Sequence, residues 1–232
     1  MQEGNLGQKS CGKLYIVATP IGNLEDLTFR ALRILKNVSF IACEDTRQTI
    51  KLLNRYKFKK KLISYFQPRE RQKIPLIINL LKGGKDVALV SDAGTPGISD
   101  PGFLLIKEAI ASGIEIVPIP GPSVVTTALS AAGLPTNRFL FLGFAPPKKA
   151  AVKKLLDSLK NETATLVFYL PARKLLAFLE ITRETFAERQ VVIAREITKI
   201  YEEFLRGTPD ELINKLAART VKGEVTILIG PS

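Results

Sequence analysis

The segment of residues 91–102, SDAGTPGISDPG, has the clearest potential for chemistry in this chain. It follows an apolar run at 87–90 that predicts a buried strand, and it precedes a helical pattern at 103–110. Ligands bind at the carboxyl ends of strands in open α/β sheets, where glycine lets the backbone approach them closely. Asp92 and Asp100 either accept hydrogen bonds from a ligand hydroxyl or amine, or cap the next helix.

A second loop, residues 19–24 (TPIGNL), follows the predicted strand at 14–18. This is where a dinucleotide-binding fold carries its glycine-rich turn, but the residues match neither Gly-x-Gly-x-x-Gly nor the Walker sequence. A pyrophosphate site needs several closely spaced backbone amides, and Pro20 removes one. The loop therefore disfavours a nucleoside triphosphate and leaves open a less charged ligand with an adenosine part.

Two more loops follow predicted strands. Residues 44–47 (EDTR) offer two carboxylates and a guanidinium, which either cap a helix at Asp45 or Thr46 or act on a ligand hydroxyl. Residues 118–123 (PIPGPS) form either a rigid strand-to-helix turn or a helix N-terminus at which Ser123 meets a carboxylate or a ribose.

Composition narrows the chemistry further. The chain has 232 residues and a net charge of +12, from 34 Lys and Arg against 22 Asp and Glu, which favours a polyanionic partner, RNA first, over charge that serves only solubility. It contains no histidine, so a proton acceptor must be Asp, Glu, Lys, Tyr or water, and no His-ligated metal is expected. Its two cysteines, Cys11 and Cys43, exclude a disulfide framework and a four-sulfur zinc site.

Location follows from the same composition. No run approaches the roughly 20 apolar residues of a membrane span, and the first ten residues lack the apolar core of a signal peptide. We therefore expect a cytoplasmic protein.

The predicted elements place all four loops at one edge of one sheet. Short apolar runs alternate with helical patterns in the first half, which predicts five strands in a mostly parallel, three-layer α/β arrangement, with Asp26 capping the first helix. The five strands are expected at 14–18, 38–42, 61–64, 87–90 and 114–119. The second half is typical of a smaller mixed α/β domain with strands at 139–144, 164–169, 190–194, 201–207 and 225–229, and helices at 175–186 and 209–217. The predicted division is a flexible leader at 1–12, an N-terminal domain at 13–136 and a C-terminal domain at 137–232.

These loops, with three later segments, resemble a known family. In order, the matching segments are TPIGNL at 19–24, EDTR at 44–47, SDAGTPGISDPG at 91–102, PGPS at 120–123, ALSAAGLPT at 128–136, FLGF at 141–144 and AREITK at 194–199. Together they resemble the small-subunit (16S) ribosomal RNA ribose-2′-O-methyltransferase I family of the tetrapyrrole methylase superfamily. The likeness covers about residues 12–230. Histidines usual in the family are absent from 64–70 and 168–174.

The resemblance implies a two-domain, class III S-adenosylmethionine (SAM)-dependent methyltransferase fold. It also implies methylation of a cytidine ribose 2′-hydroxyl in the decoding region of 16S ribosomal RNA, and a homodimer. Because the chain has no histidine and only two distant cysteines, we expect no metal requirement. SAM would lie in the cleft between domains, with a pocket carried over to Pro20, Asp92, Gly94, Thr95, Ser123, Val124, Tyr169, Ala194 and Gly223.

The residues that would act on the RNA are predicted less directly. Asp45, Glu196 and Lys199 are candidates for taking the hydroxyl proton or stabilising the oxyanion. Lys199 could instead hold a phosphate, and Glu196 could pair with Arg195 or Arg47. Backbone contacts to RNA are assigned to Arg47, Arg69, Arg173 and Lys174. A small-molecule tetrapyrrole methylase and a non-catalytic SAM- or RNA-binding assembly factor remain the alternatives.

Overall fold

The structure, a computed structural model, describes residues 10–231, so most of the predicted leader lies outside the described residues. The chain divides into two compact units between Ser123 and Val124. The sequence predicts a later boundary, after Thr136. The difference is the helix Val124–Ala132, which packs against strands of the second unit.

The first unit is built on a fully parallel sheet of five strands, sheet 1: β1 (Leu14–Val17), β2 (Phe40–Cys43), β3 (Lys61–Ser64), β4 (Val87–Val90) and β5 (Ile116–Ile119). Their order is β3-β2-β4-β1-β5. The strands are apolar on both faces, as expected for a sheet covered on both sides. The predicted parallel α/β arrangement is confirmed.

Four helices cover sheet 1: α1 (Phe29–Asn37), α2 (Thr46–Arg55), α3 (Glu70–Lys82) and α4 (Phe103–Ala111). Side chains of α1 and α2 pack on one face, and those of α3 and α4 pack on the other. The predicted cap of α1 was wrong. Asp26 lies in a short 3-10 turn, and the Thr28 side chain accepts from the Ala31 N–H at 3.1 Å instead, because the helix begins two residues later than the apolar spacing indicated.

The second unit contains a mixed sheet of five strands, sheet 2: β6 (Phe139–Phe144), β7 (Thr165–Pro171), β8 (Val191–Arg195), β9 (Glu203–Gly207) and β10 (Glu224–Ile229). Their order is β6-β7-β10-β8-β9, with only β6 and β7 parallel neighbours. Its helices are α5 (Val124–Ala132), α6 (Lys149–Ser158), α7 (Leu175–Phe186) and α8 (Pro209–Leu216).

The core of the second unit lies between sheet 2 and helices α6, α7 and α8. Helix α5 packs against β8 and β10, and its buried residues include Ala128 and Leu129. Helix α6 is not among the helices that the sequence predicts. It begins soon after Pro146 and Pro147, and two adjacent prolines are typical of a loop. The structure shows a helix there, with Val152 and Leu156 buried.

Candidate functional site

The carboxyl ends of the sheet 1 strands bring the predicted loops together. Thr19, just after β1, forms a two-way bridge with Gly94, just after β4: its N–H donates to the Gly94 carbonyl at 2.9 Å, and the Gly94 N–H donates back at 3.0 Å. The buried Thr19 hydroxyl also donates to the Ser91 carbonyl at 3.1 Å. These bonds hold the loop that begins with the buried Pro20 against the loop after β4.

Gly94 also connects this pair of loops to the loop after β5. Its φ of +81° lies in the left-handed region, and a Cβ there would stand 3.5 Å from Cγ2 of Ile21. Next to it, the Thr95 hydroxyl donates to the Pro122 carbonyl at 3.3 Å. That carbonyl immediately precedes the half-buried Ser123. Sheet 1 therefore places Pro20, Gly94, Thr95 and Ser123 along one continuous set of loop contacts.

Asp45 and Asp92 are joined by a backbone contact. The Asp45 N–H donates to Oδ1 of Asp92 at 3.0 Å, which ties the loop after β2 to the loop after β4. The Asp45 carboxylate caps α2 by accepting from the Arg47 N–H at 2.8 Å, and it also accepts from the Arg47 guanidinium at 2.7 Å. The hydrogen bonds from Arg47 lower the pKa of Asp45 to about 2. Asp45 therefore caps α2 and also lies among the loops at the carboxyl edge of sheet 1, so the predicted roles of helix cap and site carboxylate do not exclude each other.

Three other carboxylates at this edge have raised pKa values, in contrast to Asp45. Burial, together with the charges of its acidic neighbours, raises the pKa of Glu44. Burial likewise raises the pKa of Asp92, and it raises that of Asp100 to about 6. The sequence offers Asp100 and the two carboxylates of residues 44–47 as possible ligand contacts, but Glu44 and Asp100 are not among the residues assigned to the SAM pocket or to catalysis. The available signal for Asp100 is a second Asp in the loop just before α4, whose partial burial the sequence does not reveal.

Arg47 and Arg69 lie on the same side of the first unit. Arg47 is exposed in the first turn of α2, and Arg69 is exposed just before α3, after β3. Both therefore follow strands of sheet 1 at their carboxyl ends. The structure does not bring Arg69 into the loop contacts described above; its N–H donates to the Phe66 carbonyl at 2.8 Å.

In the second unit, Glu196 and Lys199 follow β8 and form a compact ion cluster with the start of β10. The Lys199 ammonium lies 3.1 Å from Oε1 of Glu196 and 2.9 Å from Oε2 of Glu224. The Glu196 carboxylate also accepts from the Glu224 N–H at 3.0 Å, and this bond contributes most to lowering its pKa. Burial lowers the pKa of Lys199, but the two carboxylates outweigh burial and raise it overall.

The ion cluster of Glu196, Lys199 and Glu224 leaves room only for a glycine at position 223. The φ of Gly223 is +94°, and a Cβ at this position would lie closer to Oε1 of Glu196 than any non-bonded contact allows. The carboxylate therefore occupies the space that a side chain at 223 would need. The predicted role of Gly223 as a cofactor contact stays a prediction, and its role in seating Glu196 is visible in the structure.

Arg173 and Lys174 lie at this same edge of sheet 2, in a short turn after β7. Strands β7 and β8 run in the same direction on either side of β10, so their carboxyl ends share an edge. Arg173 is exposed, and the Lys174 ammonium donates to the Pro147 carbonyl at 3.0 Å. The alternative in which Glu196 pairs with Arg195 is not formed: the Arg195 guanidinium lies 3.2 Å from Glu203, and Glu196 pairs with Lys199 instead.

Tyr169 and Ala194 lie in one cross-strand row of sheet 2. Thr226 stands opposite Tyr169 on one side and opposite Ala194 on the other, so all three face the same way. The Tyr169 ring meets Phe141 edge-on at a centroid distance of 5.0 Å. Helix α5, of which Val124 is the first residue, packs on the two strands that carry Thr226 and Ala194.

Glu44, Asp92 and Asp100 lie at one edge of sheet 1, which we call the acidic edge; Glu44 and Asp100 are half-buried and Asp92 is exposed. This edge suits a ligand that carries hydroxyls or a positive charge, because carboxylates accept hydrogen bonds and attract cations. Among residues 10–231, no group of three or more His, Cys, Asp and Glu is arranged to hold a metal ion. In the same part of the chain, no helix is long and apolar enough to cross a membrane.

Comparison with known proteins gives consistent results. Residues 13–213 match the family model for Tetrapyrrole (Corrin/Porphyrin) Methylases. The chain is 46% identical to the ribosomal RNA small subunit methyltransferase I of Thermotoga maritima, over 94% of this chain and 98% of the relative. It is 48% identical to the protein of the same name from Halalkalibacterium halodurans, over 94% of this chain and 75% of the relative.

Solved structures agree on the fold. A uroporphyrin-III-C-methyltransferase from Thermus thermophilus superposes with a TM-score of 0.66 at 23% identity, over 94% of each chain. The methyltransferase CobJ superposes with a TM-score of 0.71 at 19% identity, over 95% of each chain. At these identities the likeness establishes a shared two-unit α/β fold.

Proposed function

Because the chain belongs to the ribosomal RNA small subunit methyltransferase I group of the tetrapyrrole methylase family, we propose that it methylates 16S ribosomal RNA with SAM as the methyl donor. The acceptor is the ribose 2′-hydroxyl of a cytidine in the decoding region. One observation carries this proposal: the sequence likeness to the Thermotoga maritima relative spans nearly the whole of both chains.

The acidic edge of sheet 1 fits a sulfonium donor. Glu44, Asp92 and Asp100 place negative charge near the loops held together by Thr19 and Gly94. SAM carries a positive sulfur and ribose hydroxyls, and both are stabilised by carboxylates. Pro20, Asp92, Gly94, Thr95 and Ser123 are the proposed contacts in this unit, and Val124, Tyr169, Ala194 and Gly223 are those proposed in the second.

Bound SAM supplies an electrophilic methyl carbon. The ribose 2′-oxygen would accept that methyl group with release of the neutral thioether, and the hydroxyl proton would pass to a base of the protein or to water. Most of the rate enhancement in such a displacement comes from aligning the oxygen with the carbon–sulfur bond. Rigid loops serve that purpose, and here they are fixed to one another by backbone hydrogen bonds.

The candidates for the proton acceptor are the sequence-predicted carboxylates Asp45 and Glu196, together with Asp100. Asp45 and Glu196 have a lowered pKa, which makes each a weak base. Asp45 is held by Arg47, so its main contribution is to orient the hydroxyl. Lys199 stays protonated because its neighbours raise its pKa, and it is therefore suited to stabilising the oxyanion or a phosphate. Asp100, with a pKa of about 6, is better matched to accepting a proton near neutral pH.

The proposal includes the protein's partners and setting. The +12 charge favours a polyanionic substrate, and Arg47, Arg69, Arg173 and Lys174 are proposed to contact phosphates. We propose that the substrate is 16S RNA within the small ribosomal subunit, that the protein acts as a homodimer in the cytoplasm, and that it needs no metal.

The proposal is tested with purified protein and SAM labelled in its methyl group. Small subunits, large subunits and uroporphyrinogen III are offered in parallel, the small subunits coming from a strain that lacks the homologous gene. Label entering only 16S RNA is the expected result. Label entering the tetrapyrrole would indicate a small-molecule methylase. SAM binding without transfer to any acceptor would indicate a non-catalytic factor. Magnesium is held constant, because it also folds RNA.

A further inference from the structure

The first unit has a second polar surface, at the edge of its sheet opposite to the loops described above. An open cavity of about 570 Å³ lies there, lined by Ser39, Phe40, Lys59, Lys60, Lys61 and Lys85. Four of its six lining residues are lysines. We refer to it as the lysine cavity.

Strand order explains why these lysines converge. β3, β2 and β4 are neighbours in sheet 1, and Phe40 at the start of β2 stands opposite Lys61 on one side and Val87 on the other. The amino ends of three parallel strands thus lie side by side. Lys59 and Lys60 precede β3, and Lys85 precedes β4. The strand ends therefore place all four lysines around one opening.

Across the described part of the chain, no ion pair involves Lys59, Lys60, Lys61 or Lys85. Lys13, just before β1 at the same edge of the sheet, differs from these four lysines because its ammonium forms an ion pair with Glu115 at 2.9 Å. The nearby Asp86 carboxylate accepts from the Lys13 N–H at 2.8 Å.

Two of the four lysines also have contacts that fix their position. The Lys60 ammonium donates to the Val38 carbonyl at 2.8 Å. The Lys61 ammonium lies 5.8 Å from the centroid of the Phe40 ring. Each of these contacts uses a neutral partner and therefore leaves the positive charge available to an anion. Lys59 is exposed, as is Lys85.

We propose that the lysine cavity binds the phosphate backbone of ribosomal RNA, at a point separate from the methylated ribose. This inference rests on the proposed function, which supplies the RNA. Each strand between the two edges has four residues, so at ~3.3 Å per residue the cavity lies about 13 Å or more from the acidic edge. The carboxylates of the acidic edge repel phosphates, so a separate basic surface would add to the attraction that Arg47 and Arg69 are proposed to give at that edge.

The chemistry of the cavity favours a chain of phosphates over other anions. Lysine ammonium groups act as point charges toward phosphate and impose no planar, two-pronged geometry of the kind that arginine imposes on carboxylates. Four of them in one open cavity match several successive phosphates better than a single anion. Contacts of this kind raise affinity and orient the RNA without reading its sequence.

The test variant is Lys59→Gln combined with Lys85→Gln, because both side chains are exposed and neither forms an ion pair with another described residue. The matched control is Lys107→Gln combined with Lys154→Gln, two exposed lysines whose substitution removes the same charge elsewhere. Binding to isolated 16S RNA and to small subunits is measured over a series of salt concentrations. Methylation kinetics, SAM affinity and the thermal melting curve are measured alongside.

We expect the test variant to bind RNA on the order of tenfold more weakly, with a log–log salt slope lower by about one unit for each phosphate that it no longer binds. Its KM for RNA should rise while kcat, SAM affinity and melting temperature stay at the control's values. Equal slopes and affinities for test and control would overturn the inference. Weakened binding to small subunits with unchanged binding to isolated RNA would also overturn it, in favour of an acidic ribosomal protein. Wild-type protein that neither binds nor methylates RNA would instead contradict the proposed function.

Discussion

The edges of the two sheets use the same residue types in opposite ways. At the carboxyl edge of sheet 1, Glu44, Asp92 and Asp100 have pKa values raised by burial. At the edge of sheet 2 where β7 and β8 end, Glu196 has a lowered pKa and shares Lys199 with Glu224. Among the described residues, the three carboxylates of the first edge form no ion pair, although Asp45 beside them is held by Arg47, whereas at the second edge Glu196 and Glu224 share the Lys199 ammonium.

This difference bears on which predicted residues act on a ligand. A carboxylate that already accepts from a lysine and a backbone N–H contributes to holding strand ends together, as Glu196 does for β8 and β10. For the half-buried carboxylates of Glu44 and Asp100, burial and acidic neighbours disfavour the charged form, so a hydrogen-bond donor or a cation on a ligand would stabilise it. The comparison therefore predicts that substituting Asp92 at the first edge mainly weakens SAM binding, and that substitutions in the ion cluster at the second edge lower stability in addition to any effect on the reaction.

The largest effect is expected for SAM binding by Asp92→Ala. Removing a charge-assisted hydrogen bond should weaken binding by about 1–3 kcal/mol, or roughly 5- to 150-fold. Calorimetry measures the change, with Asp157→Ala in α6 as a control that removes a carboxylate from an exposed ion pair. Undiminished SAM affinity in Asp92→Ala, or wild-type protein with no SAM affinity, would remove the acidic edge from the proposed site.

The next effect concerns stability at the second edge, through Gly223→Ala. The new Cβ must displace the Glu196 carboxylate in addition to adopting an unfavourable φ of +94°. We expect the free energy of unfolding to fall by about 1–2 kcal/mol. Gly133→Ala is the matched control, because its φ of +75° brings strain while nothing lies within 4 Å of the new Cβ. Equal changes for the two variants in urea denaturation would mean that the Glu196 contact adds nothing beyond backbone strain.

A smaller effect should appear in the pH dependence of stability. The pKa of Asp100 is about 6 in the fold, above its ordinary value of 3.8, so the folded state binds the proton more tightly than the unfolded state. The stability that this gives is present at low pH and is lost as pH rises from the unfolded pKa through the folded pKa. Asp100→Asn cannot ionise. After discounting for partial exposure, we expect it to be more stable than wild type by about 1 kcal/mol at pH 7.5, with little difference near pH 4. A difference that is the same at both pH values would contradict the assignment of Asp100 as the titrating group.

The smallest effect is expected for Arg173→Glu. If Arg173 contacts one phosphate, the log–log salt slope of RNA binding should fall by about one unit while SAM affinity is unchanged. Lys154→Glu, another exposed charge reversal, provides the control. The alternative is that the Arg173 side chain only covers apolar surface. Identical slopes for wild type and Arg173→Glu would support that alternative.

Much of the fold follows from the sequence because its signals are local. Short apolar runs separated by helical patterns predict all five strands of sheet 1 and their parallel arrangement, which in turn places four loops at one edge. Helix α6 escapes prediction because Pro146 and Pro147 mark a loop, while the burial of Val152 and Leu156 depends on strands far along the chain.

The location of the candidate site can be predicted from the sequence, but the ion pairs and the burial of its side chains cannot. A cap of α2 by Asp45 is a local property that the sequence suggests. The contact of Lys199 with Glu224 depends on the register of β8 and β10, which no short segment encodes. Asp100 is a possible ligand contact from its place in the loop, but its raised pKa is not predictable from the sequence, because it depends on burial and on Asp92, eight positions away in the loop. Pairing and burial are set by tertiary structure, so residue types alone leave them open.

The most direct test of the central claim is the identity of the methylated nucleoside. Small subunits from a strain lacking the homologous gene are incubated with the purified protein and SAM, and the 16S RNA is digested to nucleosides for mass spectrometry. Primer extension at low nucleotide concentration locates the site. We predict 2′-O-methylcytidine at one position of the decoding region, absent when SAM is omitted and reduced with Asp92→Ala. A methyl group on a base, or none in 16S RNA, would contradict the proposed function.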